Sequence, residues 1–92
     1  AEALRLLVEM LDDKFMQNLP ASPHQVLMKE GINELRRGRF DRALKHWIDA
    51  LKKEREYREV ARKACVAVFK FLGEDSEVTR QYRTAFSSAF YS

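Results

Sequence analysis

The sequence predicts an all-α fold of about five helices stacked as antiparallel hairpins. Three observations predict it. Apolar residues recur at helical spacing through most of the chain, and no alternating apolar–polar run of useful length argues for a strand. Hydrophobic residues make up 46% and charged residues 34% of the 92, with only three Gly and two Pro, a balance that suits amphipathic helices better than a sheet or a disordered segment. The few helix breakers, Pro20, Gly38 and Gly73, sit where one apolar stripe ends and the next begins. A chain of this size makes one small domain and buries only ~60–65% of the surface its unfolded form exposes.

Ala3, Leu4, Leu7, Val8, Leu11 and Phe15 fall on one helical face, so residues 1–18 are expected to form one amphipathic helix to about Gln17, with a wide apolar face that needs a partner. Leu19-Pro20-Ala21 breaks it. Residues 22–92 then read as the helical hairpins. Ser22-Pro23-His24-Gln25 has the order of a helix start: a Ser cap, Pro at the first helical position and a Gln to complete a capping box. This helix is expected to run from Pro23 to about Arg37, with Gly38 closing it in a left-handed conformation.

From Phe40 to about Glu54 the stripe is the cleanest in the chain: Phe40, Ala43, Leu44, Trp47, Ile48 and Leu51 on one side, Asp41, Arg42, Lys45, Asp49 and Lys52 on the other. Asp41–Lys45 and Asp49–Lys53 have the spacing of stabilising pairs. Gly31 and Ala43 are expected to face each other where the helices flanking Gly38 cross. The next helix, about Glu59 to Leu72, is apolar almost all round and is expected at the centre of the fold, with Cys65 buried in it. The last, about Ser76 to Tyr91, aligns Val78, Tyr82, Ala85, Phe86 and Ala89, leaving Phe90 at the edge of the stripe and Tyr91 outside it.

Composition also narrows the chemistry. One cysteine allows neither an internal disulfide nor a Cys-x-x-Cys redox pair, which points to a reducing, soluble compartment, cytoplasmic or an organelle stroma or matrix. His24 and His46 have no cysteine or carboxylate at metal-ligand spacing, and no phosphate loop, nucleophile elbow or His-Glu-x-x-His is present. No catalytic residue, metal or cofactor is therefore expected. The first residues lack a targeting pattern, and no apolar stretch approaches the ~20 residues of a membrane span.

The formal charge is +3. Arg36, Arg37, Arg39 and Arg42 cluster at one connection, and Lys52, Lys53, Arg55, Arg58, Arg62 and Lys63 at the next. These clusters leave RNA phosphates or an acidic partner open as ligands. Glu54, Glu56 and Glu59 dilute the second cluster, and no stacking aromatics are interleaved with it, so a solvated surface is the simpler reading and nucleic acid the less favoured partner.

One series carries a resemblance. Gly38-Arg39-Phe40-Asp41-x-Ala43-Leu44-x-x-Trp47-x-x-Ala50-Leu51 is hairpin chemistry of the tetratricopeptide kind, in which a small residue lets two helices approach and an aromatic fills the groove. With Ala61-Arg62-Lys63-Ala64, Phe69-x-x-Leu72-Gly73 and Val78-x-x-x-Tyr82-Arg83, it resembles the C-terminal helical domain of the co-chaperedoxin family, thioredoxin-fused co-chaperones. The resemblance does not extend to the thioredoxin part. Glu30 and Glu34 stand where that kind of repeat would place an aromatic or leucine, so a compact bundle-like module is expected rather than a long regular array.

The resemblance implies a non-enzymatic module that recognises unfolded client proteins and docks on a chaperonin through its terminal helix. It places the contacts on Tyr82, Arg83, Phe86, Phe90 and Tyr91. Two readings stand beside it: a scaffold or assembly domain whose first helix packs on another domain or subunit, and a basic-patch RNA-binding module.

Overall fold

The computed structural model describes residues 2–19 and 21–91, apart from the side chains of Glu2, Ala3, Leu4, Asp13 and Met16. The expected breaker Pro20 and the apolar-face positions Ala3 and Leu4 lie outside what is described. In order, the elements are α1 (Glu2–Met10), α2 (Asp13–Gln17), α3 (Gln25–Arg36), α4 (Phe40–Lys53), a 3-10 turn (Arg55–Tyr57), α5 (Arg58–Leu72) and α6 (Glu77–Tyr91). Among the described residues all regular structure is helical, as the sequence predicts.

The N-terminal segment is two helices, not one. In a continuous helix the Phe15 amide would donate to the Leu11 carbonyl; here it donates to the Asp12 carbonyl, and the Arg36 guanidinium of α3 donates to Leu11 at 2.7 Å. Asp12 then accepts from the Lys14 amide at 2.9 Å, so a residue with low helix propensity becomes the cap of a new short helix. Leu7 and Met10 are buried, while Val8 is 59% exposed, so the core-facing stripe is narrower than the apolar pattern suggests.

The start of α3 also departs from expectation. Ser22 caps no helix in the capping-box manner: its hydroxyl donates to the Glu54 carboxylate at the end of α4 and accepts from the His24 amide, two residues on. Ser22–His24 is a turn, and regular helix begins at Gln25. Opposite, the C-terminus of α3 follows the sequence closely. Gly38 has φ +75°, its amide donates to Leu35 and the Arg39 amide to Glu34, the bonding pattern of a Schellman closure.

α3 and α4 form the tightest hairpin, and Gly31 is its contact point. A Cβ built on Gly31 would lie 2.2 Å from Trp47 Nε1, so the indole occupies the space a side chain would need. The residue facing Gly31 is thus Trp47, while Ala43 is buried nearby in the same core. On α4 Ala43, Leu44, Trp47, Ile48, Ala50 and Leu51 are buried, with Asp41, Arg42, Lys45, Lys52 and Lys53 exposed. Neither Asp41–Lys45 nor Asp49–Lys53 closes an ion pair.

Two helices share the centre. α4 meets α3, α5 and α6, and α5 meets α1, α4 and α6. The expectation that α5 alone is covered on several sides is corrected accordingly: Ala61, Ala64, Cys65, Ala67, Val68 and Phe69 are buried, but Phe71 is 49% exposed, its ring 5.6 Å from that of half-buried Phe40. The extents of 35 × 29 × 20 Å are those of a compact module, and the radius of gyration of 12.0 Å matches the ~12 Å expected for a globular chain of this length.

Candidate protein-binding surface on the last helix

Gly73, at φ +91°, ends α5 and turns the chain back so that α6 lies along both α5 and α4. Phe86 and Ala89 are buried on its inner face, together with Thr79, which the apolar pattern does not single out. Ala85 is exposed, contrary to its expected place in the inner stripe. The stripe is rotated toward Thr79, and Val78 and Tyr82 are only half-buried.

An aromatic ladder climbs from the core to the surface along this helix. The Phe86 ring meets Phe69 of α5 edge-on, centroids 5.6 Å apart at 80°. It lies parallel to Phe90, one turn on, at 5.9 Å and 4°. Phe90 meets Tyr91 edge-on at 4.9 Å. Edge-on and offset-parallel pairs are the favoured geometries of ring quadrupoles. Tyr91 closes the ladder with 79% of its surface exposed.

Two arginines hold the ladder. Arg58, the first residue of α5, sets its guanidinium 4.7 Å from the centroid of the Phe90 ring and donates to the Phe90 carbonyl near the end of α6. Sequence reasoning placed Arg58 only in a basic cluster and missed its contact with Phe90, because the two residues are far apart in the chain and no local pattern joins them. Arg83 donates to both oxygens of Glu74 at 2.8 and 2.6 Å and lies 5.6 Å from the Phe69 centroid. Of the five residues expected at a contact, Tyr91 is open, Phe90 and Tyr82 are half-buried, Arg83 is exposed but paired, and Phe86 lies beneath the others. The i,i+4 spacing of Tyr82 and Phe86 was legible in the sequence, which set Phe90 at the edge of their stripe; the stacking of Phe90 on Phe86 came from the structure.

Elsewhere the titratable groups are structural. Burial pushes the Cys65 thiol up to about 12, and burial raises the Tyr57 phenol as well. The hydrogen bond from Ser22 holds the Glu54 carboxyl below its ordinary value. Among the described residues, no group of three or more His, Cys, Asp or Glu is placed to hold a metal ion, and no helix is long and apolar enough to cross a membrane.

No curated protein and no solved structure matches this sequence. The tetratricopeptide repeat family matches residues 14–91, from the second residue of α2 to the end of α6. Hairpins closed by glycine, a small residue receiving an aromatic from the facing helix, and a match over most of the chain agree: this chain belongs to the tetratricopeptide repeat family.

Proposed function

We propose that this chain is a non-catalytic protein-interaction module of the co-chaperone kind, binding a chaperonin or an unfolded client through the end of α6. Tetratricopeptide repeats generally mediate contacts between proteins, and the observation that supports this surface is the aromatic ladder ending on exposed Tyr91. Phe90 is braced by Phe86 and Arg58, so a partner meeting it would lose little side-chain freedom on contact. Tyr91, the open part of Phe90, Tyr82 and Arg83 make the contact surface, and Phe86 supports it from below. The lone buried thiol fits a reducing compartment.

Purified chain and its Tyr91→Ser variant, titrated onto a purified chaperonin and onto a chemically unfolded model protein, test the reading. Loss of about tenfold or more in affinity for either one is expected, since a few aromatics often carry an interface. Binding unchanged by Tyr91→Ser, or absent from the wild type for both probes, would sink it.

A second reading, an assembly domain, is favoured by one observation. Val8 and Leu11 of the N-terminal segment are exposed, and a separate cleft is lined in part by Leu6, Met10, Phe15 and Val60. Concentration-dependent self-association in light scattering would support it.

A further inference from the structure

Leu7 and Met10 bury one side of α1 in the common core. A second strip runs along its edge: Arg5, Val8 and Leu11 follow one another at steps of three residues, with Glu9 and Asp12 beside them, and all five are exposed. Leu11 and Asp12 carry the strip past the end of α1, since their amides donate to the Val8 and Glu9 carbonyls at 3.1 Å each. The charges of the strip run against what the helix itself favours. Arg5 precedes Glu9 and Asp12, whereas a helix dipole favours acids early and bases late, and the last turn of α1 holds no base. An Arg four residues before a Glu is also the weaker order for pairing within one helix, and among the described residues neither Arg5 nor Glu9 closes an ion pair. Capping of α2 accounts for Asp12. It does not account for Arg5 and Glu9 flanking an open Val8 and Leu11.

We propose that this strip pairs with the same strip of a second copy of the chain, the two α1 helices lying antiparallel across a two-fold axis near Val8. Val8 meets its counterpart at the axis, with a Leu11 to either side. Arg5 stands ~4.5 Å before Val8 along the helix axis, Glu9 ~1.5 Å after it and Asp12 ~6 Å after it. Inverting the partner therefore brings Arg5 of each copy level with the stretch between Glu9 and Asp12 of the other, and the two-fold axis makes that contact twice. A parallel pair sets Arg5 against Arg5 and Glu9 against Glu9, like charges that oppose it. The charge order that suits one helix poorly is thus the order that an inverted copy of the same helix complements. The proposal rests on the reading of the chain as an assembly domain and names the subunit it assembles with. Two apolar side chains from each copy make a small contact, at the low end of interface sizes, so the dimer is expected to be weak and reversible.

The test is sedimentation equilibrium of the whole chain from about 10 μM to about 1 mM, a range that detects association as weak as a millimolar dissociation constant. A reversible dimer is expected, with no larger species, because a two-fold contact closes on itself. Val8→Asp is expected to weaken it by about tenfold or more, since it sets two carboxylates face to face at the axis. Arg5→Glu and Glu9→Arg are each expected to weaken it by about threefold or more, and an equimolar mixture of the two variants to associate about as tightly as the wild type, because each repulsive pair becomes an attractive one. Recovery in the mixture is a result that simple loss of folding in either variant does not give. Tyr91→Ser is expected to leave the association unchanged, which keeps this surface apart from that of α6. A dimer that Val8→Asp leaves intact would overturn this pairing while the assembly reading stands on another face. A chain that stays monomeric throughout would overturn both, and a mixture no tighter than its two components would overturn the antiparallel arrangement.

Discussion

At the scale of the residue, Gly31 and Cys65 have the sharpest consequences. Alanine at position 31 would ordinarily stabilise a helix by ~1 kcal/mol over glycine. Here its Cβ would fall 2.2 Å from Trp47 Nε1 and 2.6 Å from Cδ1 of the same rigid ring. Overpacking costs ~1–3 kcal/mol or more, so the clash outweighs the propensity, and Gly31→Ala is expected to destabilise the chain in a chemical denaturation experiment. A gain in stability would show that α3 and α4 separate freely. Cys65 is fully buried and its thiol is pushed up to about 12 by burial alone. Native protein should therefore label slowly at neutral pH and quickly in denaturant. The sign of the pH effect follows. The raised thiol contributes stability that is fully present below the unfolded-state value near 9 and is lost as pH rises toward about 12, because the unfolded chain ionises first. Cys65→Ser should change the alkaline limb of a stability–pH profile.

At the scale of the element, α6 separates into a part that holds the fold and a part that is free. Phe86 is buried against Phe69 and Phe90, so Phe86→Ala is expected to cost ~3 kcal/mol or more. The sequence sets Phe90 at the edge of the inner stripe and Tyr91 outside it, and in the structure Phe90 is half-buried and Tyr91 open. Tyr91→Ser should leave the melting temperature nearly unchanged. Phe90→Ser removes a stacked ring and the platform of Arg58, and is expected to cost ~1–2 kcal/mol. Paired melting curves of the two single variants check this, and equal effects would mean that the end of α6 is either wholly anchored or wholly frayed. At the other end of the chain, the break between α1 and α2 depends on Arg36 taking the Leu11 carbonyl. Local propensity supplied Asp12 as a cap, but the competing bond comes from a helix remote in sequence.

At the scale of the whole molecule, the N-terminal helix belongs to the same packing problem as the hairpins. Leu7 and Met10 are buried within the common core and α1 lies on α5, although the tetratricopeptide match begins only at residue 14. Losing two such side chains removes ~4 kcal/mol or more from a domain whose total stability is of order ~5–15 kcal/mol. A chain lacking residues 1–10 is therefore expected to melt at least ~10 °C lower than the full chain. An unchanged melting temperature would show that α1 rests on the core without supporting it.

The sequence by itself determined the helical class, the hairpin turn at Gly38, the buried stripe of α4 and the burial of Cys65. Each depends on residues within a few turns of one another, where periodicity and glycine's access to positive φ act locally. It also made Val78, Tyr82 and Phe86 legible as one face of α6, with Phe90 at its edge. Only the tertiary structure decided that Trp47 faces Gly31, that Ser22 bonds Glu54 instead of capping a helix, that Thr79 is buried and Ala85 exposed, and that Arg58 braces Phe90. Those outcomes depend on which helix comes to lie beside which, and the lowest free energy there is set by packing and by competition for hydrogen-bond partners across large separations in the chain, about which local pattern carries no information.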